Sequence, residues 1–509
     1  MVGTDQSGRN SSTRDKTVLM AAIVVVCILV RVLLFRKFGA VTQWDTSSFL
    51  RLANQIRAGD LSHDTGQRVP IWSLIYALSG LNPSRMVAIQ IALSMGAILL
   101  LFDASQLLLK NTKAAAMVAC AYGIWPAYAR YDITLLSESL ATTFTITCIW
   151  ACIRFLETRK ISWLLLAGTM ASVAGLTRPV LLMLAIVIPI WSFAVLHGNR
   201  TTQIRALGLA ILPVIVLVGS WCAFNKSRFG TFNVSTVGGI ALTDITIDML
   251  ADYPKGQNPE VDAIVAASLP RTEENRGWHV QAVWKALPEM ERSSGKTFAQ
   301  ISQELMPINI WAIKSHPVDF ASVLSASMTQ FWTPAGIGSY DIKAVSKQLV
   351  GNAGMAALLA KIYDLITRIM ALVLWGFIIA APLSLTGRLM LVPIRNKWFV
   401  GTVLCLSIAM LICPYGFVEA CTEIFALLFT IGAPIVLLVT FRERGRNIIW
   451  LIVAFAWTLS IISCSADFAN PRYGAPLAPW VFLTVGLCLA ERLRIGSPSQ
   501  EAVSAIAKK

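Results

Sequence analysis

The chain reads as an all-α polytopic membrane protein. Its composition is 56% hydrophobic and only 14% charged, against about 25% charged in soluble domains. Apolar runs of about 17–23 residues recur, each long enough to cross ~30 Å of hydrocarbon as a helix. Basic residues gather in every second connection between those runs.

Roughly twelve spans are expected on this length criterion, near 17–36, 85–107, 112–129, 135–155, 162–177, 179–197, 204–223, 361–385, 398–413, 416–440, 447–464 and 474–490. The run at 112–129 contains Pro126, which weakens it as a continuous helix. Sixteen residues, mostly polar, precede the first run, and no small-residue cleavage site follows it. That pattern predicts a signal anchor and a cytoplasmic tail over 1–16.

Short loops set the orientation. With the N-terminus in the cytoplasm, Lys110, Lys113, Arg154, Arg159, Lys160, Arg200, Arg205, Arg388, Arg395, Lys397, Arg442, Arg444, Arg446, Arg492 and Arg494 all fall inside. With both tails, the inner side holds about 20 basic and roughly six acidic residues, as the positive-inside rule expects. The net charge of +15 is therefore a topology signal. A nucleic-acid surface would gather its cations on one domain, and these are dispersed, so no nucleic-acid partner is expected. The ten cysteines are mostly inside apolar runs without a CxxC pair, which suits small buried hydrophobes. Cys413, Cys421 and Cys464 are expected near the outer surface.

Two outer segments exceed turn length. The first, 37–84, sits in an N-terminal transmembrane module over 17–223. It contains the amphipathic stretch Phe49–Ile56, with Thr46, Ser47 and Ser48 as helix-start candidates and Gly59 as its stop. After Arg68-Val69-Pro70 comes a second apolar segment, 71–81, too short to span and so expected at the interface. The second outer segment, 224–360, has nearly balanced charge. Amphipathic helices are expected at 278–287 and 297–332, and Trp278, Trp284, Trp311 and Trp332 suit an interfacial surface. A C-terminal transmembrane module over 361–490 and a cytoplasmic tail over 491–509 complete the chain.

Charges at a membrane edge are expensive and mark functional candidates. Asp45 and Arg68 lie in the first outer loop, and Arg130, Asp132 and Glu138 between the third and fourth spans. Arg178 separates the fifth and sixth, and Asp467, Arg472 and Tyr473 precede the last. All share one membrane depth in this topology. Arginine forks bind phosphate oxygens bidentately, and a carboxylate can take the proton of an attacking hydroxyl. The set therefore suits an anionic ligand in the outer leaflet, such as a lipid phosphate carrying a sugar.

Plainer roles compete with this one. Asp45 can serve as a helix-start carboxylate favoured by the macrodipole, Glu138 as an interfacial acid, and Arg178 and Arg472 as snorkelling anchors. Arg130, Asp132 and Asp467 read as solvated turn residues, His63 as a structural turn residue, and Asp103 near the inner end of the second span carries no assigned role. HExxH, P-loop, GxSxG and zinc-like spacings are absent.

In this order the motifs resemble the GT-C glycosyltransferases, in the branch of the protein O-mannosyltransferases and the lipid A aminoarabinose transferase. Asp45 follows the first span and precedes an amphipathic segment and Gly59. Arg68-Val69-Pro70 resembles the basic approach to the second interfacial helix. Leu136-Ser137-Glu138-Ser139-Leu140 resembles a second acidic position, and Arg472-Tyr473-Gly474-Ala475-Pro476-Leu477-Ala478-Pro479 resembles an Arg-Tyr-x-x-Pro-x-x-Pro pattern. Softer matches are Arg228-Phe229-Gly230, Thr236-Val237-Gly238-Gly239, His316–Phe320 and Phe331-Trp332. Thr46 departs from the family, whose protein O-mannosyltransferases carry a second acid there, and no soluble carbohydrate-binding domain follows.

The resemblance implies a GT-C fold and a polyprenyl-phosphate sugar donor. It implies inverting transfer by a hexosyl- or pentosyltransferase to a glycolipid, glycan or protein acceptor. By matched position Asp45 is the general base and Glu138 assists, through a metal or by orienting the acceptor. Arg68, Arg178, Arg472 and Tyr473 hold the donor phosphate. No cofactor is named, and a divalent cation stays open. The expected location is a bacterial inner membrane, with both termini cytoplasmic and the site periplasmic. A transporter or flippase of a lipid-linked anion, and a lipid-linked glycan ligase or polymerase, are the competing classes. Transporters usually place charges at mid-bilayer in broken helices, whereas this chain gathers its polar residues at one face.

Overall fold

The computed structural model describes residues 6–196, 199–268, 282–332, 430–432, 434, 448–466, 471–483 and 486. Those residues are mostly helical, with an isolated β-bridge between Val41 and Thr134. Helix α1, Gln6–Phe38, starts well before the apolar run at 17. Helix α2, Thr46–Ala58, buries Thr46, Phe49, Leu52 and Ala53, a one-sided stripe at helical spacing. It stops at Gly59, whose φ of 68° lets its N–H reach the carbonyls of Gln55 and Ile56. The position before α2 is Asp45, not one of the three hydroxyl residues that follow, and its carboxylate makes no capping bond. Helix α3, Pro70–Leu78, opens on a proline pre-set for the first helical position. At nine residues it is about 14 Å long, too short to span.

Helix α4, Pro83–Leu109, and helix α5, Thr112–Ile124, start on asparagine caps at Asn82 and Asn111. The expected span 112–129 breaks here. Pro126 forces Trp125 into an extended conformation (ψ 116°), so α5 stops and a short helix α6, Pro126–Ala129, turns away. Helix α7, Glu138–Thr158, follows, then α8, Ser162–Gly175. A 3-10 turn at Pro179–Met183 leads into α9, Leu184–Val195. Helices α10, Arg200–Pro213, and α11, Gly219–Phe229, are joined through a π turn at Val214–Val218, where Pro213 interrupts the regular bonding. The span expected at 204–223 thus runs on to Phe229, and the outer segment begins at Gly230.

That outer segment holds helices α12, Gly238–Thr246, α13, Pro259–Ala267, α14, Ala282–Ser294, α15, Phe298–Ser315, and α16, Pro317–Trp332. They share a core that includes Ile240, Leu250, Val283, Ile301, Leu305 and Val323. Thr297 and Gln300 close a capping box at the start of α15. Asn309 is buried and satisfied by Thr243, Thr246 and the Gly239 carbonyl. Lys296 bridges Glu260 at 2.8 Å and Glu304 at 2.6 Å, and those bonds push its pKa up. Three of the four tryptophans lie in described residues. Trp284 and Trp311 pack against this core and Trp332 is 4% exposed, while Trp278 lies outside the described residues.

Helix α17, Ile448–Ala466, matches the run at 447–464, and a 3-10 turn at Pro471–Leu477 begins the last one. The spans expected at 361–385, 398–413 and 416–440 lie outside the described residues except at 430–432 and 434, as do Cys413, Cys421 and Asp467. Cys464, near the C-terminal end of α17, is fully buried within the protein.

Among the described residues, five helices are long and apolar enough to cross a membrane, within α1, α4, α7, the α10–α11 unit and α17. Shorter apolar helices are α5, α8 and the segment 179–195. These make a multi-pass membrane protein without establishing the count of twelve. The main core joins α1, α4, α5, α7, α8, α9, α10 and α17. Gly168 of α8 lies against the Ala210 backbone of α10, leaving no room for a side chain, the close approach that small residues permit between membrane helices. The start of α1 and the C-terminal ends of α4 and α7 meet through Asp103, which pairs with Arg154 at 2.6 Å and Lys16 at 4.0 Å and accepts a bond from Trp150.

Candidate functional site

The opposite end of the bundle gathers the expected site residues. Asp45, at the start of α2, accepts a bond from Arg68 Nη2 at 2.7 Å. Arg68 Nε donates to Ser48 Oγ at 2.7 Å, and the guanidinium lies 4.5 Å from the centre of the Phe49 ring. The first turn of α2 therefore holds Arg68 by charge, hydrogen bond and ring face. Both partners are about a quarter exposed, 28% for Asp45 and 23% for Arg68.

The loop carrying Arg68 is itself anchored. Gly66 has φ 67°, favourable for glycine alone, and a side chain there would meet Thr236 at 2.6 Å and Phe229 at 2.7 Å. Its carbonyl accepts from Thr236 N at 3.0 Å, Gln67 O from Ser235 Oγ, and Thr65 O from Thr236 Oγ1. Arg228 Nη2 reaches Leu61 O at 2.6 Å. Burial pushes the pKa of Asp64 up, against the backbone N–H groups of Gly66 and Thr65.

A second pair lies deeper. Glu138, the first residue of α7, stands 2.7 Å from Arg178 Nη1, with side chains 2% and 10% exposed. Arg178 follows α8 in an extended conformation, and its guanidinium lies 4.8 Å from the centre of the Tyr473 ring. Arg472 starts the same turn as Tyr473, and its side chain lies outside the described part of the structure.

Main-chain bonds tie the two pairs to one end. Val41 N donates to Ile133 O at 2.9 Å, Leu135 N to Val41 O at 2.8 Å, and Thr46 Oγ1 to Leu135 O at 3.0 Å. These join the segment before Asp45 to the segment before Glu138. Ile71 N donates to Leu176 O at 3.1 Å, joining the chain just after Arg68 to the chain just before Arg178. Four residues distant in sequence thus share one rim, as two carboxylate–guanidinium pairs.

The turn between α6 and α7 departs from expectation. Asp132 is not a solvated turn residue: it is 3% exposed and paired with Arg31 Nε at 2.6 Å. Arg31, 1% exposed, also donates to Gly123 O at 2.6 Å and Cys27 O at 3.1 Å. Asp132 Oδ1 accepts from Ser139 Oγ. Arg130 is half-buried, 5.3 Å from the Tyr131 ring centre. A cavity of ≈ 10 Å³ beside this network is lined by residues including Ser94, Tyr122, Asp132 and Ser139, about the room one water needs. Arg31 went unnoticed among the residues of the first apolar run. The available signal was the charge itself, since a guanidinium inside a span needs a partner.

Among the described residues, no group of three His, Cys, Asp or Glu side chains is arranged to hold a metal ion. Glu138 faces the Arg178 guanidinium.

Residues 71–222 match the family model of dolichyl-phosphate-mannose-protein mannosyltransferase. That stretch begins at the first residue after Pro70 and takes in Glu138 and Arg178. No curated protein matches the chain. Among solved structures, the archaeal oligosaccharyltransferase AglB from Archaeoglobus fulgidus, in complex with an inhibitory peptide and a dolichol-phosphate, is similar at 12% identity with a TM-score of 0.36. The similarity covers 93% of this chain and 50% of that one, so the chain spans about half that protein's length. Over residues 71–222, the chain is similar to the dolichyl-phosphate-mannose-protein mannosyltransferases.

Proposed function

We propose that this protein is a membrane glycosyltransferase that moves one sugar from a polyprenyl-phosphate carrier to an acceptor hydroxyl, with inversion, at the outer face of a bacterial inner membrane. The observation that carries the reading is the rim itself. Asp45 and Glu138 each stand 2.7 Å from an arginine at the end of the bundle opposite Lys16, and the match to a lipid-phosphate-sugar family includes the second pair.

In the proposed step, Asp45 takes the acceptor hydroxyl proton as the acceptor oxygen bonds to the anomeric carbon. The bond from that carbon to the phosphate oxygen breaks, and its electron pair leaves with the lipid phosphate. Attack opposite the leaving phosphate inverts the anomeric centre. Each guanidinium already carries one carboxylate, so the phosphate would take remaining N–H groups of Arg68, with Arg178, Arg472 and Tyr473 completing the cradle. Glu138, sealed against Arg178, orients rather than exchanges protons.

The test uses the purified chain in lipid discs with polyprenyl-phosphate monosaccharides, the sugar labelled, and a membrane extract as acceptor. Transfer of label to a new acceptor with release of polyprenyl phosphate is expected. In sealed vesicles, label that crosses the bilayer still on its lipid would instead establish a transporter. Transfer of preassembled glycans but never of single sugars would establish a ligase.

A further inference from the structure

We infer that Arg31 and Asp132 are positioning residues for the proposed transfer, a buried clamp that sets where Asp45 and Glu138 stand. The inference rests on the transferase reading above and adds residues that neither the motifs nor the rim pairs include. Asp132 reaches the rim by two routes. One is its carboxylate, whose Oδ1 takes the Ser139 hydroxyl, and Ser139 is the neighbour of Glu138 in the first turn of α7. The other is its backbone. Gln90 Nε2 donates to Asp132 O at 3.0 Å and Thr134 O at 2.9 Å, and Gln90 Oε1 accepts from Trp72 Nε1 at 3.1 Å. This fixes the segment 132–135, where a 3-10 turn ends at Ile133 and Thr134 is extended, and that segment bonds to Val41 and, through Leu135 O, to Thr46 beside Asp45.

Arg31 anchors the clamp from α1. Its Nε pairs with Asp132 Oδ2, while Nη1 holds the carbonyls that end α5 and precede it on its own helix, and Nη2 lies 3.4 Å from Ser94 Oγ. A buried ion pair is a poor source of stability, because apolar residues of similar volume often do as well. What it supplies is direction. The guanidinium meets α1, α4, α5 and the α6–α7 turn with fixed geometry, so the two carboxylates at the rim inherit one frame. Displacement of a reacting group by about 1 Å can cost roughly a hundredfold in rate.

Asp132→Asn would strand Arg31 without its counter-charge and can fail to fold, so the informative variants are Ser139→Ala and Ser139→Thr. The first removes the hydroxyl that links the clamp to α7, and the second keeps it. The full chain in lipid discs is given the labelled polyprenyl-phosphate monosaccharides, and label release is measured over a range of donor concentration. Expected for Ser139→Ala is a kcat lower by about ten- to a hundredfold, with donor KM and melting temperature close to the parent and kcat recovered in Ser139→Thr. Unchanged turnover in Ser139→Ala overturns the inference, as does a loss that follows melting temperature and is not recovered by threonine. A parent protein that releases no label from any donor defeats the transferase reading and the positioning role with it.

Discussion

Glu138 and Asp45 are both paired with arginine at 2.7 Å, yet their burial assigns them different parts. Removing the Glu138 charge leaves Arg178, 10% exposed, without compensation in an apolar setting, a change that typically costs about 3–5 kcal/mol. Removing the Asp45 charge leaves Arg68, 23% exposed and still bonded to Ser48, in reach of water, which costs less than stranding a buried charge. We therefore expect Glu138→Gln to lower the melting temperature in detergent clearly, and Asp45→Asn to leave it nearly unchanged. Equal melting temperatures would show that burial does not separate the two carboxylates. The two carboxylates stand out in the sequence because each is a charge expected near one membrane edge. Their pairing does not, since the partners lie 23 and 40 positions apart. Asp132 was misread for a related reason: a turn sequence looks solvated until a distant arginine, here Arg31 in α1, is found to cover it.

At the scale of elements, α2 and α3 were readable because local rules decide them. Phe49, Leu52 and Ala53 repeat at helical spacing, Gly59 supplies the left-handed stop, and Pro70 opens α3. The break after α5 follows equally from Pro126, but its consequence, a turn that buries Asp132 against Arg31, depends on packing. The same is true of Gly66. Its positive φ and its contact with Thr236 and Phe229 come from segments about 170 residues apart. We predict that Gly66→Ala displaces the loop of Arg68, with a stability loss of about 1–3 kcal/mol. Limited proteolysis reads it directly: cleavage between 60 and 68 should rise several-fold. Unchanged protection would mean that the loop does not depend on its seat against 228–236.

Among the described residues of the helical bundle, two charged clusters lie at different ends of the helices. Lys16, Asp103 and Arg154 close one, and the two rim pairs occupy the other. Composition and periodicity were enough for a helical membrane bundle with a polar rim. They could not give the separate core of the outer helices, because it joins residues from five helices whose packing partners are far apart in sequence. If the rim is a transfer site, its chemistry should fail at one carboxylate while the scaffold survives. The measurement is the rate of label transfer from polyprenyl-phosphate monosaccharide by Asp45→Asn in lipid discs, alongside donor binding and melting temperature. The account predicts transfer reduced by about a thousandfold, within the 10²–10⁴ usual for a lost general base, with binding and melting retained. Transfer within a few-fold of the parent would contradict it.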